Sequence, residues 1–273
     1  MSIDIDLAVR KSEDGRWIRE RIPARVPVAG PDGEPVYELA HSPMFVQGLA
    51  ADDHVRIDED GQYELVGRGD NVSVQVFGEW GEVDALAQHV ASLRGRLCGK
   101  DSNARVFTIP RSAGLYLIET TVDRVLESWP NLSWMFGNVT TVAVSTAIEV
   151  DGTPVVEGVQ VITQPPTSEH EAVFDVAASP LLVPGLVARD VFTIGEDGVP
   201  EVISSGGLTA VQTQGDWDLV FFEPRVMELD GWIDGRAGDE AAVFTFPEGT
   251  DRSAIEELFT SHDGEGRSWR FAR

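Results

Sequence analysis

Apolar and polar residues alternate one for one from Ile3 to Leu7 (IDIDL), the two-residue period of a strand with one buried face. A turn at Asp14-Gly15 follows, then WIRERIPARVPV (17–28), VYELA (36–40), FVQGL (45–49), HVRID (54–58), a second turn at Asp60-Gly61, and QYELVG (62–67). Glycine after aspartate accepts the positive φ that a tight hairpin demands, so residues 1 to about 70 read as short strands in a small twisted sheet, a meander or a barrel. From Asn71 the pattern changes. NVSVQVF reads as a strand; Val83, Leu86, Val90, Leu93 and Leu97 recur at helical spacing, with a strand edge near Leu97 to Gly99. The strand ARVFTIP (104–110), a helix presenting Ile118, Val122, Val125 and Trp129 on one face, and a closing strand LSWMFGNV (132–139) complete the series. The order β-α-β-β-α-β is that of a ferredoxin-like unit.

The same succession then returns. SPMFVQGLAADDHVRIDEDG (42–61) and SPLLVPGLVARDVFTIGEDG (179–198) share 11 of 20 positions at an offset of 137 residues. At that offset Gln75, Gly78 and Trp80 meet Gln212, Gly215 and Trp217, and ARVFTIP meets AAVFTFP (241–247). Near the end the register slips by two, pairing Ser133-Trp134 with Ser268-Trp269. In the later half Thr250 stands where a helix cap belongs, and Ser253 with Glu256 has capping-box spacing. These patterns predict an α+β chain built by internal duplication, copies at 1–137 and 138–273. Each copy is a β-rich module (about 1–70 and 138–207) followed by a ferredoxin-like module (about 71–137 and 208–273).

The short meander, the Ser-Pro-x-Phe-Val-x-Gly-Leu-x-x-x-Asp element at 42–53, and an αβ part containing a Val-Phe-Thr-Ile-Pro strand resemble the bacterial family of domain of unknown function 4265. The resemblance spans roughly residues 20 to 138, with the later copy a diverged version. It implies fold boundaries and no catalytic residue.

Composition narrows the function. The chain has 273 residues and a formal net charge of −25, a field that repels nucleic-acid phosphates and anionic membranes and attracts basic protein surfaces. No run approaches the roughly 18 apolar residues of a membrane span, and no basic start precedes an apolar leader, so a cytoplasmic protein is expected. Cys98 is the one cysteine, which leaves no internal disulfide.

Candidate chemistry is sparse. His41, His54, His89, His170 and His262 lack metal-ligand spacing, so neither a metal nor a cofactor is expected. Asp53 beside His54 reads as a turn aspartate next to a surface histidine. Cys98 reads as a structural thiol without a paired base, and Gly67-Arg68-Gly69-Asp70 as a turn. Asp58-Glu59-Asp60-Gly61 is too compact for a calcium loop. No catalytic residue emerges.

The two copies differ most in charge. Residues 1–137 carry a net −8 and residues 138–273 a net −17, with a local net of −6 over 216–240 against −1 over 79–103. The acids Asp216, Asp218, Glu228, Asp230, Asp234, Asp239 and Glu240 interleave there with Trp217, Phe221, Phe222, Met227 and Trp232. Aromatic anchors in an acidic surround suit a basic protein partner, and we take those seven acids with Trp232 as the candidate partner-binding set. A solvated acidic face over core aromatics explains the same pattern. The expected function is a non-enzymatic acidic binding module, such as an immunity-type or antitoxin-type inhibitor of a basic protein. An enzyme or small-molecule binder with its site in a cleft between the copies is the alternative.

Overall fold

The computed structural model describes residues 2–30, 32–79, 85–151, 153–238, 240–262, 264 and 266–273. The chain is mixed α/β and sheet-rich, with four α-helices among the described residues. It forms two compact units, residues 1–113, 118–139 and 163–166 in one and residues 114–117, 140–162 and 167–273 in the other.

In the first unit β1 (Ser2–Lys11) and β2 (Trp17–Arg25) make an antiparallel hairpin, and β3 (Val28–Ala29), β4 (Pro35–Glu38), β5 (His54–Ile57) and β6 (Tyr63–Gly67) a four-stranded antiparallel sheet. The alternation seen at Ile3–Leu7 buries Ile5 and Leu7 with Ile22, Leu39, Leu49 and Val55 in one core. Next come β7 (Asn71–Phe77), α1 (Ala85–Ser92), β8 (Arg96–Lys100), β9 (Ala104–Pro110), α2 (Leu115–Leu126) and β10 (Ser133–Phe136). Their sheet has the order β10-β7-β9-β8, with every neighbouring pair antiparallel.

The second unit has a similar order of elements, with six strands before its first helix where the first unit has seven. A five-stranded sheet joins β11 (Thr140–Val150), β12 (Thr153–Gln164), β13 (Val173–Val176), β14 (Val191–Ile194) and β15 (Pro200–Ser204). Then follow β16 (Thr209–Gln214), α3 (Leu219–Glu228), β17 (Trp232–Ala237), β18 (Ala241–Phe246), α4 (Arg252–Thr260) and β19 (Ser268–Phe271), with strand order β17-β18-β16-β19, again antiparallel throughout. Phe222 and Val226 of α3 and Ile255 and Phe259 of α4 pack on Val211, Phe244 and Phe246 of one sheet face. On the opposite face Ala210 and Val243 meet Val187, so the stretch following β13 covers the side that has no helix.

That covering stretch is the sequence repeated at 42–61 and 179–198. The Glu20 carboxylate accepts from the backbone N–H groups of Met44, Phe45 and Val46 at 2.6, 2.9 and 3.3 Å. The Glu157 carboxylate accepts from Leu181, Leu182 and Val183 at 2.7, 2.8 and 3.1 Å. Gln75 Nε2 donates to the Pro43 carbonyl and Gln212 Nε2 to that of Pro180. The repeated Ser-Pro start is thus held between a carboxylate and a sheet-face amide.

Three local readings need correction. Leu97 does not continue a helix; it lies in β8 and is 41% exposed. The helix stops because Arg94 takes φ 60° and Gly95 turns back to donate to the Val90 carbonyl. A Cβ on Gly95 would lie 2.6 Å from Val90 Cγ1 and 2.9 Å from the Thr108 carbonyl, so only glycine passes there. Val83, Glu82 and Trp80 lie outside the described residues. Trp129 lies beyond the end of α2. Asp251 caps α4, its carboxylate accepting from Ser253 N–H, whereas the Thr250 hydroxyl donates backwards to the Pro247 carbonyl. A carboxylate is the better partner for the positive end of a helix dipole.

Candidate functional site

Asp218 is the N-cap of α3, its side chain accepting from Phe221 N–H at 3.2 Å. From that start the helix spacing sends Phe222 and Val226 inward and turns Val220, Glu223, Pro224, Met227 and Glu228 outward. Val220 is 85% exposed and Met227 63%, two prominent exposures among the large apolar side chains described. Pro224, inside the helix, has no N–H for the Val220 carbonyl. Arg225, the cation of the last turn, folds back: its guanidinium carbon stands 3.5 Å from the Phe221 ring centroid, and Nη1 donates to the Phe221 carbonyl. An apolar stripe one helical repeat long therefore lies among the exposed acids Asp216, Glu223, Glu228 and Asp230.

Acids at the end of this helix work against its dipole. Asp230 takes φ 57° as the chain leaves α3, and Gly231 N–H donates to the Val226 carbonyl. Arg94 at φ 60° and Gly95 hold the same places after α1, so the structural correspondence here is 136 residues. The first unit puts a cation at the negative end of the helix, and the second puts Glu228 and Asp230 there. Asp230→Arg is expected to stabilise the second unit by about 0.3–1 kcal/mol, seen as a higher urea midpoint; a lower midpoint would remove the dipole argument.

The candidate set separates on the structure. Asp216, Asp218, Glu228, Asp230 and Glu240 are exposed, and Trp232 is half-buried. Asp239 lies outside the described residues. Trp217 and Phe222 belong to the core. Asp234 is 2% exposed and is an internal hub: Oδ2 accepts from Ser179 N–H at 2.7 Å and from the Thr245 hydroxyl at 3.0 Å, and Oδ1 from Trp232 Nε1 at 3.2 Å. It cannot meet a partner. β17 bulges between Ile233 and Gly235, which turns Asp234 under the covering stretch.

The same bulge in β8, between Leu97 and Gly99, carries Cys98. Because Asp234 only accepts, the Thr245 hydroxyl donates to it, the Ser179 hydroxyl donates to Thr245, and Ala188 N–H donates to Ser179. In the first unit Ala51 N–H, Ser42 and Thr108 form the equivalent chain, ending 2.9 Å from Cys98 Sγ. Cys98 is half-buried, with the Thr108 hydroxyl within hydrogen-bond reach of its thiol.

Two ion pairs on buried aspartates escaped the sequence reading. Asp53, 1% exposed, accepts from Ala50 N–H, Gly69 N–H and Arg68 Nη1 at 2.8, 2.9 and 2.7 Å. Burial pushes its carboxyl above the ordinary aspartate value, opposed by the Arg68 charge and the two amides. Asp190 makes the matching bonds to Val187 N–H and Gly206 N–H, but its arginine is Arg273 rather than a neighbour in sequence. Ser205 stands where Arg68 would be, and its hydroxyl accepts from Arg273. Arg68 in the Arg-Gly-Asp tripeptide is therefore only 9% exposed and committed to the interior.

Among the described residues no cluster of three or more His, Cys, Asp or Glu could hold a metal ion, and no helix is long and apolar enough to cross a membrane.

Residues 26–129 match the family model for DUF4265, a domain of unknown function. The DUF4265 match ends before β10 and includes the Glu20-bound stretch at 42–51, Arg68 and Cys98. No curated protein matches the chain. A crystal structure of a hypothetical protein from Neisseria gonorrhoeae is similar at 17% identity and a TM-score of 0.39, covering 50% of this chain and 94% of that one. A crystal structure of a protein from Thermus thermophilus is similar at 10% identity and a TM-score of 0.18, covering 75% of this chain and 40% of that one.

Proposed function

We propose that this chain is a non-enzymatic binding module that captures a basic protein on the outer face of α3, in the manner of an immunity-type or antitoxin-type inhibitor. The observation that carries this reading is the exposure of Val220 (85%) and Met227 (63%) among Asp216, Glu223, Glu228 and Asp230. Apolar side chains left in water supply contact area, and surrounding acids steer a cationic surface toward them. The acids at the end of α3 oppose its dipole, a small stability cost that a binding role explains.

Two finer readings belong with it. The units are tandem copies of one ancestor, each a β-rich module followed by a ferredoxin-like one. The hydrogen bonds of Glu20 and Glu157, Asp53 and Asp190, and Ser42 and Ser179, all 137 residues apart, support that reading. The cytoplasm of a bacterium is the compartment proposed, consistent with a single cysteine held by hydrogen bonding.

The test immobilises the chain, exposes it to lysate at about 50 mM salt and elutes at about 500 mM. The unmodified chain is expected to retain a discrete basic protein. Glu228→Lys/Asp230→Lys and Val220→Ser/Met227→Ser should each retain it about tenfold less. Glu196→Lys/Asp197→Lys, on the turn between β14 and β15, should retain it fully. Equal retention by all the variants would overturn the α3 reading.

A further inference from the structure

A cavity of about 110 Å3 opens on the helix-free face of the second unit's β16–β19 sheet, with Leu181, Leu182, Gln212, Gln214, Ser268 and Arg270 among its lining residues. That volume is room for several water molecules, enough for a compound of a few heavy atoms. Its cation is placed unusually. Arg270 stands opposite Gln212 across β19 and β16, and its Nε donates to Gln212 Oε1 at 2.9 Å. In a half of net charge −17, Arg252 and Arg273 pair with acids, whereas Arg270 Nε donates to a neutral amide.

The first unit shows why the space exists. There Met135 holds the position opposite Gln75, and Gln47 reaches over the sheet to donate Nε2 to Gln75 Oε1 at 2.8 Å. Pro184 stands where Gln47 would be at the 137-residue offset, and proline has no side-chain donor and little reach. Arg270 takes over the bond to the glutamine, and the volume that Gln47 would fill stays open.

We propose that this cavity binds a short aliphatic carboxylate, its two oxygens on the terminal guanidinium nitrogens of Arg270 and its carbons against Leu181 and Leu182. Arginine presents parallel N–H donors that match a carboxylate, and Ser268 adds a hydroxyl at the rim. One guanidinium balances one negative charge. The Glu157 carboxylate, held on the N–H groups of Leu181 and Leu182, repels a second, so phosphate dianions are disfavoured. Free short-chain acids and the C-terminal carboxylate of a peptide ending in an aliphatic residue share this chemistry. The site does not depend on the α3 face.

The test titrates the full chain with isobutyrate, with a tripeptide ending in valine and with its C-terminal amide, following the Arg270 Nε–H and Gln212 side-chain amide resonances. Saturable shifts with a Kd of about 1–10 mM are expected for at least one carboxylate, and none for the amide. A tripeptide at least about tenfold tighter than isobutyrate identifies a chain terminus as the source; equal or weaker binding identifies a free acid. Arg270→Met, the residue of the first unit, should weaken binding at least about tenfold, and Pro184→Gln should block it by refilling the space. The proposal is overturned by unsaturated shifts for both carboxylates at about 50 mM, by equal binding in a folded Arg270→Met variant, or by equivalent shifts with inorganic phosphate.

Discussion

Arg68→Met is expected to cost the first unit about 3–5 kcal/mol of unfolding free energy, because it leaves the Asp53 carboxylate buried with two amide donors and no counter-charge. It also removes the bond from Arg68 Nη1 to the Gly48 carbonyl, which ties β6 to the stretch before β5. Asp53→Asn in the same chain should restore part of the loss: no charge is stranded, but Ala50 N–H and Gly69 N–H bond different oxygens of Asp53 and the single amide oxygen replaces one of them. The pH dependence separates a charge effect from lost packing. Asp53 has its carboxyl raised on folding, chiefly by burial. Such a group binds its proton more tightly when folded, so its contribution is fully present below the unfolded value and is lost as pH rises through the folded one. Arg68 opposes the rise, so Arg68→Met moves the carboxyl higher still. Urea denaturation at a series of pH values should therefore show the variant recovering stability on acidification from neutrality, starting at a higher pH than in the unmodified chain. A variant whose deficit is the same at every pH would show the charge to be irrelevant. Arg273→Met should cost the second unit less, because Arg273 is 34% exposed and water can reach the pair.

These pairs show what a single sequence conveys and what it hides. The alternation at Ile3–Leu7 and the Asp60-Gly61 and Asp197-Gly198 turns were readable because strand burial and hairpin geometry depend on neighbours in sequence. Gly61 and Gly198 do take φ 82° and 79°. The partners of Asp53 and Asp190 were not readable. One arginine lies 15 residues away and the other 83, so the same bond is restored from different parts of the chain. Glu20 and Glu157 looked like ordinary strand acids, yet each satisfies three amides 24 to 26 residues further on. Their one sequence signal was identity at the 137-residue offset, spread over a separation that periodicity does not register. A rigid offset also misleads locally: through α1 and α3 the correspondence is 136, which aligns Cys98 with Asp234 rather than with Gly235.

Asp234→Lys is expected to unfold the second unit or to cost it at least about 4–5 kcal/mol, the range in which a stranded buried charge belongs. An ammonium there would face two obligate donors, Ser179 N–H and Trp232 Nε1, with the Thr245 hydroxyl as its one acceptor among the three groups that now bond Asp234. Asp230→Lys, four residues earlier on an exposed position, should leave the thermal midpoint within a few degrees of the unmodified chain or above it. The contrast matters for the binding reading, because charge pattern alone groups Asp230 with Asp234. Loss of a partner through Asp234→Lys would report a collapsed unit, whereas loss through Asp230→Lys in a chain of unchanged stability would report the α3 face. Cys98→Asp supplies the complementary measurement, since its site ends the corresponding chain of Ala51 N–H, Ser42 and Thr108, whose hydroxyl protons can point either way. If a carboxylate is what that chain was arranged to receive, Cys98→Asp should be far better tolerated than Asp234→Lys, with urea midpoints ordered accordingly. The reverse order would mean that the bulges in β8 and β17 present unlike surroundings despite their matching bonds.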